Sequence, residues 1–394
     1  MTGEILNLRA LNTIVPPEFA DVYDAGTYRR SQEYTRVKTR FGVVFSLFDL
    51  AVLLVFWLAG GFGWLDGLVR GWGLSPVWAG LAFLLILALA RGILSLPFSI
   101  WGVFVIEEKF GFNRTSPRTF ILDLVKGLGV SVVLGIPLVI GFLALFEYAG
   151  GLAWIYAWAV VVAFSFVMQI LAPAVIMPLF NKFTPLEDGE LKEAILAYAQ
   201  RVGFPLKGVF SIDASRRSTK GNAFFTGFGR SKRIALFDTL IQRHSTEELV
   251  AVLAHEVGHY KKRHVLMGTM ASALETGLFL GLFALLVRRN SLFAAFSVDS
   301  PSFYAGVLFV TVLLRPLQFV LSVGAAALSR RHERQADAFA AATTGRGDLL
   351  TAGLKRLSKD SLSNLTPHPF YVLLNYSHPP VLQRVKSLGS DPSA

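Results

Sequence analysis

The sequence predicts an all-α polytopic membrane protein with about six transmembrane helices, and three observations carry that prediction. Hydrophobic residues make up 53% of the 394 and charged residues 16%, with a mean hydropathy of +0.52. That is more apolar surface than one water-soluble core can hide. Six segments, residues 41–60, 77–105, 120–145, 152–180, 265–287 and 303–328, are apolar throughout. Each is long enough for the roughly 20 helical residues that cross ~30 Å of hydrocarbon. Lys and Arg gather in alternate connections: all but five of the 38 lie in residues 1–40, 107–126, 181–263 and 330–394. The exceptions are Arg70, Arg288 and Arg289 in outer loops and Arg91 and Arg315 within spans. Positive loops stay inside, so both termini and the two longest polar segments are expected in the cytoplasm.

The elements follow in order. Residues 1–40 form a cytoplasmic segment, and MTGEILNLRALNTIVPPEF lacks the basic start and apolar run of a cleaved signal. The first span should therefore act as its own insertion signal. Spans one to four fill residues 41–180, with Pro173 and Pro178 placed to bend the fourth. Residues 181–263 are the longest polar stretch. Within it GELKEAILAYAQRV (189–202) has helical spacing, and GVFSI (208–212), NAFFTGF (222–228) and RIALF (233–237) read as the strands of a small sheet. Ser245 followed by Glu248 marks the start of the next helix as a capping box. Spans five and six occupy residues 264–328, with Pro316 placed to bend the sixth, and residues 329–394 complete the polar part.

Charge and cysteine content exclude several classes. The net charge of +11 and pI near 9.9 are what topology and contact with anionic lipid require, so no nucleic-acid partner is expected. With no cysteine, disulfides, thiolate metal sites and a cysteine nucleophile are all excluded.

The predicted helix after Ser245 carries LAHEVGHYKKRH (253–264), which holds three of the seven histidines. His255 and His259, four apart, project from one helical face and can converge on one tetrahedral metal ion. Glu256 stands beside them as the general base of an H-E-x-x-H metalloprotease, in which zinc lowers the pKa of the attacking water and polarises the scissile carbonyl. A third ligand is expected on another helix. SRRHERQADAFAAA (329–342) continues the sixth span and sets Glu333 and Asp337 on one face. Alone, these two acids read as a solvated face paired with Arg330, Arg331 and Arg334. Beside His255 and His259, Glu333 reads as the ligand and Asp337 as acceptor of a ligand histidine's spare N–H. His332 points about 100° away from Glu333 and reads as an ordinary interfacial residue. His244, His264 and His368 are assigned no chemistry. Asn113, Asn364 and Asn375 open N-x-S/T triplets, but on the cytoplasmic side, where glycosylation is not expected.

These stretches, with VPPEF (15–19), FVIEEKFGFN (104–113), NKFTPL (181–186), SRRSTKGNAFFTGFGRSKRIALFDTL (215–240) and NYSHPPVLQRVKSL (375–388), recur in order along nearly the whole chain. The chain thereby resembles the CAAX prenyl protease 1 family, the type I CAAX endopeptidases of membranes. The resemblance implies a ring of helices around a water-filled chamber, one zinc held by His255, His259 and Glu333 in a gluzincin-like set, and Glu256 as general base. It implies His378 as oxyanion stabiliser, Asn222 as a holder of substrate backbone, and cleavage of a C-terminal tripeptide after a lipidated cysteine. Without the resemblance, His378 reads as a helix-start residue before Pro379 and Pro380. Asn222 opens a strand whose edge can pair with an extended peptide, and Arg384 is a candidate contact for a substrate carboxylate, although most such arginines are surface charges.

The chain departs from eukaryotic members, which have a further leading helix and a charged insertion near residues 242–247. Six spans in place of seven can leave a gap in the chamber wall. The short chain looks like a prokaryotic member, with a bacterial or archaeal cell membrane expected, or the endoplasmic reticulum for a eukaryotic source. Expected partners are a peptide or protein substrate, prenylated in the CAAX reading, and membrane lipids. Two other readings stand beside it: a quality-control protease acting on unlipidated membrane proteins, and a metal or solute transporter. Transport explains neither Glu256 nor the soluble sheet.

Overall fold

The computed structural model describes residues 1–226 and 232–389. Gly227 and Phe228 of the strand read at 222–228, and the end of the C-terminal region read to residue 394, lie outside the described residues. A short helix α1 (Thr2–Ala10) precedes α2 (Ala25–Leu58), which begins where Asp24 accepts a hydrogen bond from the Thr27 N–H at 2.8 Å. The polar first half of α2 is helix as well, so the span expected from residue 41 is the apolar half of a 34-residue rod. Helix α3 (Gly61–Arg70) was not expected. It buries Phe62, Leu65 and Val69 as an apolar face, and its buried Asp66 accepts from the Tyr304 hydroxyl at 2.6 Å and from Arg70 Nε at 2.7 Å.

Helix α4 (Pro76–Trp101) runs on through a π-helical segment, Gly102–Glu107, and is followed by α5 (Pro117–Tyr148). Then α6 (Ala153–Leu171) passes through a second π segment, Ala172–Ile176, into α7 (Met177–Phe180). Pro173 opens that segment, as expected of a residue that cannot donate to the preceding turn. Among the described residues five helical stretches are long and apolar enough to cross a membrane, and a sixth span is the helix pair Phe303–Leu313 and Arg315–Thr344, bent by 56°.

The polar part begins with β1 (Phe183–Pro185), helix α8 (Glu190–Arg201) and β2 (Leu206–Ile212). Strands β3 (Ala223–Thr226) and β4 (Lys232–Phe237) complete a sheet of order β1-β2-β4-β3, in which β2 and β4 are parallel and the outer pairs antiparallel. Strand β3 is thus an edge. A single turn, α9 (Asp238–Ile241), leads to α10 (Thr246–Lys261), the H-E-x-x-H helix, and on to the fifth span α11 (His264–Leu286). The short α12 (Asn290–Ala294) precedes α13 (Phe303–Leu313) and α14 (Arg315–Thr344), with the bend beside Pro316. Helices α15 (Gly347–Asp360), α16 (Pro369–Asn375) and α17 (Val381–Gly389) close the chain's described part.

Two large cores, beside two small clusters around Tyr28 and Tyr34, hold the molecule, one among the spans and one in the polar part. One joins α3 to α6 and α11 to α13 through Phe62, Phe83, Phe146, Phe283, Phe293 and Phe309. The other packs α8, the sheet, α10, α14 and α15 around Ile195, Leu236, Leu240, Leu249, Ala254 and Ala340. Between them the spans leave much of their surface exposed, although α6 and α11 still meet where Trp158 Nε1 donates to the Ala273 carbonyl at 2.8 Å. Residues 88–94 of α4, nearly two helical turns, are all exposed, so one side faces lipid and the other an interior space. Arg91 and Asp49, paired at 3.1 Å between α4 and α2, are charges at membrane depth, which face water rather than hydrocarbon. The ring of spans therefore encloses a chamber, with the polar part at one end.

Candidate active site

The site is built where α10 crosses α14. The Ser245 hydroxyl accepts from the Glu248 N–H while the Glu248 carboxylate accepts from the Ser245 N–H, the capping box expected for α10. In its last turn, a Cβ added to Gly258 would lie 3.0 Å from the Cα of Ala336. Glycine lets the two helices meet backbone to backbone there, which brings His255, about one turn earlier, and His259, the next residue, onto the acids of α14.

His255 Nε2 and His259 Nε2 lie 3.1 Å apart. Glu333 reaches both, with Oε2 3.4 Å from His255 Nε2 and Oε1 3.2 Å from His259 Nε2. A tetrahedral zinc site with bonds of ~2.0–2.1 Å has edges of about 3.3 Å between ligand atoms, which these separations match. Among the described residues this trio is the group of His and acidic side chains that can hold a metal ion. Glu333 Oε2 is buried and receives no well-directed hydrogen bond, the condition of a ligand atom rather than of a paired surface acid. Three carboxylates, Glu256, Glu333 and Asp337, meet one guanidinium, Arg384. A divalent cation balances that set, so the residues present fit zinc.

Asp337 Oδ1 sits 2.8 Å from His255 Nδ1, on the side of the ring away from Glu333. Burial pushes the His255 pKa down, but the Asp337 and Glu333 carboxylates outweigh it and raise it to about 9. Asp337 is itself held by Arg384, which donates from Nε at 2.8 Å and from Nη2 at 2.5 Å. Arg384 is buried, so it is not the surface charge that base rates favour, and two of its donors already serve Asp337.

Glu256 projects into the open side of the site. Burial raises its pKa, against the pull of the neighbouring histidines, and it makes no hydrogen bond among the described residues. A cavity of about 130 Å³ joins Glu256 to Asn222, His255, Glu333, His378 and Arg384. His378 is exposed, with Nδ1 2.8 Å from Glu333 Oε2; it lies in the bend before α17 and not at a helix start. Asn222 precedes β3 rather than opening it, and its carbonyl accepts from the Phe237 N–H at 3.0 Å. A larger cavity of about 910 Å³ runs beside it, between Phe166 of α6, Phe224 and Phe225 of β3, Glu256, Tyr260 and Leu266 of α11.

Two histidines left without chemistry at the sequence level also come here. His264 is buried, with Nδ1 3.1 Å from His259 Nδ1, and its ring stacks on His332 at 4.1 Å. The one available signal was their closeness to the motif. The others stay apart: His244 pairs with Glu248 at 3.2 Å, and His368 caps α16 by accepting from the Phe370 N–H.

Comparison with known proteins places the whole chain. Residues 4–182 match the family described as CAAX prenyl protease N-terminal, five membrane helices, and residues 185–391 match peptidase family M48. CAAX prenyl protease 1 of Saccharomyces cerevisiae is 38% identical over 95% of this chain and 88% of its own length. The homologue of Homo sapiens is 34% identical over 95% and 89%. The crystal structure of S. mikatae Ste24p superposes with a TM-score of 0.93 at 35% identity, covering 98% of this chain and 95% of that one. With the zinc-fitting donor set at the end of a membrane chamber, these matches establish that the chain belongs to the CAAX prenyl protease 1 family of integral-membrane zinc metalloendopeptidases.

Proposed function

We propose that this protease cuts the C-terminal tripeptide from CAAX substrates after a prenylated cysteine, with His255, His259 and Glu333 as its zinc ligands. The observation that carries the reading is the juxtaposition of that trio with Glu256 and with β3, the edge strand among the described residues, at one end of a ring of membrane spans. Zinc, when bound, polarises the scissile carbonyl and makes water a nucleophile near neutral pH.

The chain's own residues do the rest. Substrate backbone pairs in extended form with the outer edge of β3, where only β4 occupies the inner side, and Asn222 holds it at the mouth of the small cavity. Glu256 takes a proton from the attacking water and delivers it to the leaving amine. Its raised pKa suits both halves of that task. His378 donates to the carbonyl oxygen as negative charge develops there. Asp337 fixes the His255 tautomer and Arg384 fixes Asp337, so Arg384 acts through the metal site before any contact with a substrate carboxylate.

The apolar walls of the larger cavity favour a lipid-bearing substrate over the unlipidated chains of the quality-control reading. The distribution of Lys and Arg supports a cytoplasmic side for both termini and the site. The test is cleavage of a farnesylated CAAX peptide and its unmodified twin by purified protein, beside Glu256→Gln and an o-phenanthroline-treated sample. The lipidated peptide alone should release its tripeptide, and Glu256→Gln should keep zinc while losing about 10²–10⁴-fold in turnover. Equal cleavage of both peptides would move the substrate to unlipidated proteins, and a near-wild-type Glu256→Gln would remove Glu256 as base.

A further inference from the structure

We propose that His264 and Gln335 form a relay that positions the ligand His259, so that the first residue of the fifth span is part of the metal centre's support. The inference rests on the ligand reading above and extends it to residues that the motif does not contain.

The chain geometry makes the contact possible. Helix α10 ends at Lys261, and Arg263 then adopts the left-handed conformation, φ 58° and ψ 28°, before α11 begins at His264. A non-glycine residue rarely takes that conformation. Here it breaks the helix between α10 and α11 and leaves the His264 ring against His259 of α10. The ring is then held from three directions. Its Nδ1 is 3.1 Å from His259 Nδ1, its Nε2 is 2.9 Å from Gln335 Oε1, and its face lies on His332 at 4.1 Å with 8° between the planes. Gln335 and His332 both belong to α14, the helix that carries Glu333.

Proton placement gives the contact its meaning. His259 presents Nε2 to His255 and Glu333, so as a metal ligand it keeps its proton on Nδ1 and must donate it. The nitrogen facing that proton is His264 Nδ1, which can accept only if the His264 proton is on Nε2. Gln335 Oε1 receives that second proton. The order His259 to His264 to Gln335 therefore satisfies both ring N–H donors, and reversing any one member leaves two donors or two acceptors facing each other. The two ligand histidines thus have different supports: His255 leans on the Asp337 carboxylate, and His259 on a neutral imidazole and amide. Loss of such a support typically costs 10–100-fold in metal affinity.

Three variants test this on the full-length, zinc-loaded protein: His264→Leu keeps bulk without an acceptor, His264→Asn keeps a carbonyl acceptor near the Nδ1 position, and Gln335→Met removes the relay's end. The readout is the rate of zinc release into excess 4-(2-pyridylazo)resorcinol, with the thermal midpoint of each zinc-stripped protein as control for the fold. We expect about 10–100-fold faster release from His264→Leu, near-wild-type release from His264→Asn, a smaller acceleration from Gln335→Met, and unchanged zinc-stripped midpoints. Wild-type release from His264→Leu, or equal release from the Leu and Asn variants, would overturn the proposal. If His264→Leu does not fold, Gln335→Met decides alone: faster release supports the relay and an unchanged rate overturns it. A wild type that holds no zinc would instead overturn the ligand reading beneath it.

Discussion

Gly258 and Ala336 touch where α10 crosses α14: a Cβ on the glycine would meet the Ala336 Cα at 3.0 Å and its carbonyl oxygen at 3.1 Å. Backbone cannot swing aside as a side chain can, so a methyl group there pushes the helices apart. The donor trio depends on that spacing, because two of its members ride on α10 and one on α14.

Gly258→Ala should therefore damage the metal site more than the fold. Alanine gains up to about 1 kcal/mol of helix propensity over glycine, against an overpacking cost of about 1–3 kcal/mol. The net stability loss is then small. Zinc affinity should fall about tenfold or more as Glu333 recedes from His255 and His259. Chelator competition measures the affinity and thermal unfolding the stability, and a variant with wild-type affinity would show that the crossing does not set the trio's geometry.

Arg384, read from the sequence as a substrate-carboxylate contact or a surface charge, has a third role in the structure as the partner of Asp337. If it serves Asp337, Arg384→Met strands a buried carboxylate and should destabilise by about 3–5 kcal/mol, with zinc release accelerated. If it serves a substrate carboxylate, KM rises while stability holds. The bidentate contact with Asp337 predicts the first outcome. Arg384→Lys should sit between, since lysine keeps the charge but not the planar fork. Unfolding of the zinc-loaded protein and KM for a CAAX peptide, measured on the same preparations, tell the two apart.

Local and periodic signals made much of this molecule legible. Apolar runs marked the spans, the capping box marked the start of α10, and four-residue spacings set His255 with His259 and Glu333 with Asp337. What remained hidden depends on contacts distant in sequence or on unusual backbone. Helix α3 buries an aspartate that only Tyr304 and Arg70 make tolerable. Strand β1 is three residues ending in Pro185, an element that exists because β2 offers it an edge. His264 needed the left-handed turn at Arg263, for which a Lys-Lys-Arg run gives no cue, since glycine or asparagine is the usual signal. Arg384 looked like surface charge because its acid lies 47 residues earlier, on another helix.

With His255 as the proposed zinc ligand, proton and metal compete for its ring, and the competition has a sign. In the zinc-stripped protein its pKa is raised to about 9 from an ordinary 6.5, so the folded state holds a proton that the unfolded chain gives up. A raised value means stabilisation that is complete below about pH 6.5 and disappears as pH climbs through about 9, worth roughly 3 kcal/mol at most. In the proposed ligand set, zinc would take the place of that proton and need the ring neutral. The zinc-stripped midpoint should therefore fall between pH 6.5 and 9 while the zinc-loaded midpoint changes less, and the gap between them should widen with pH. Zinc titrations across the same range should show affinity rising by up to tenfold per pH unit. A gap that stays constant would mean that His255 does not exchange a proton for the metal. Asp337→Asn supplies the control: with the carboxylate gone the His255 pKa drops, and the widening should shrink while any slope due to other groups persists.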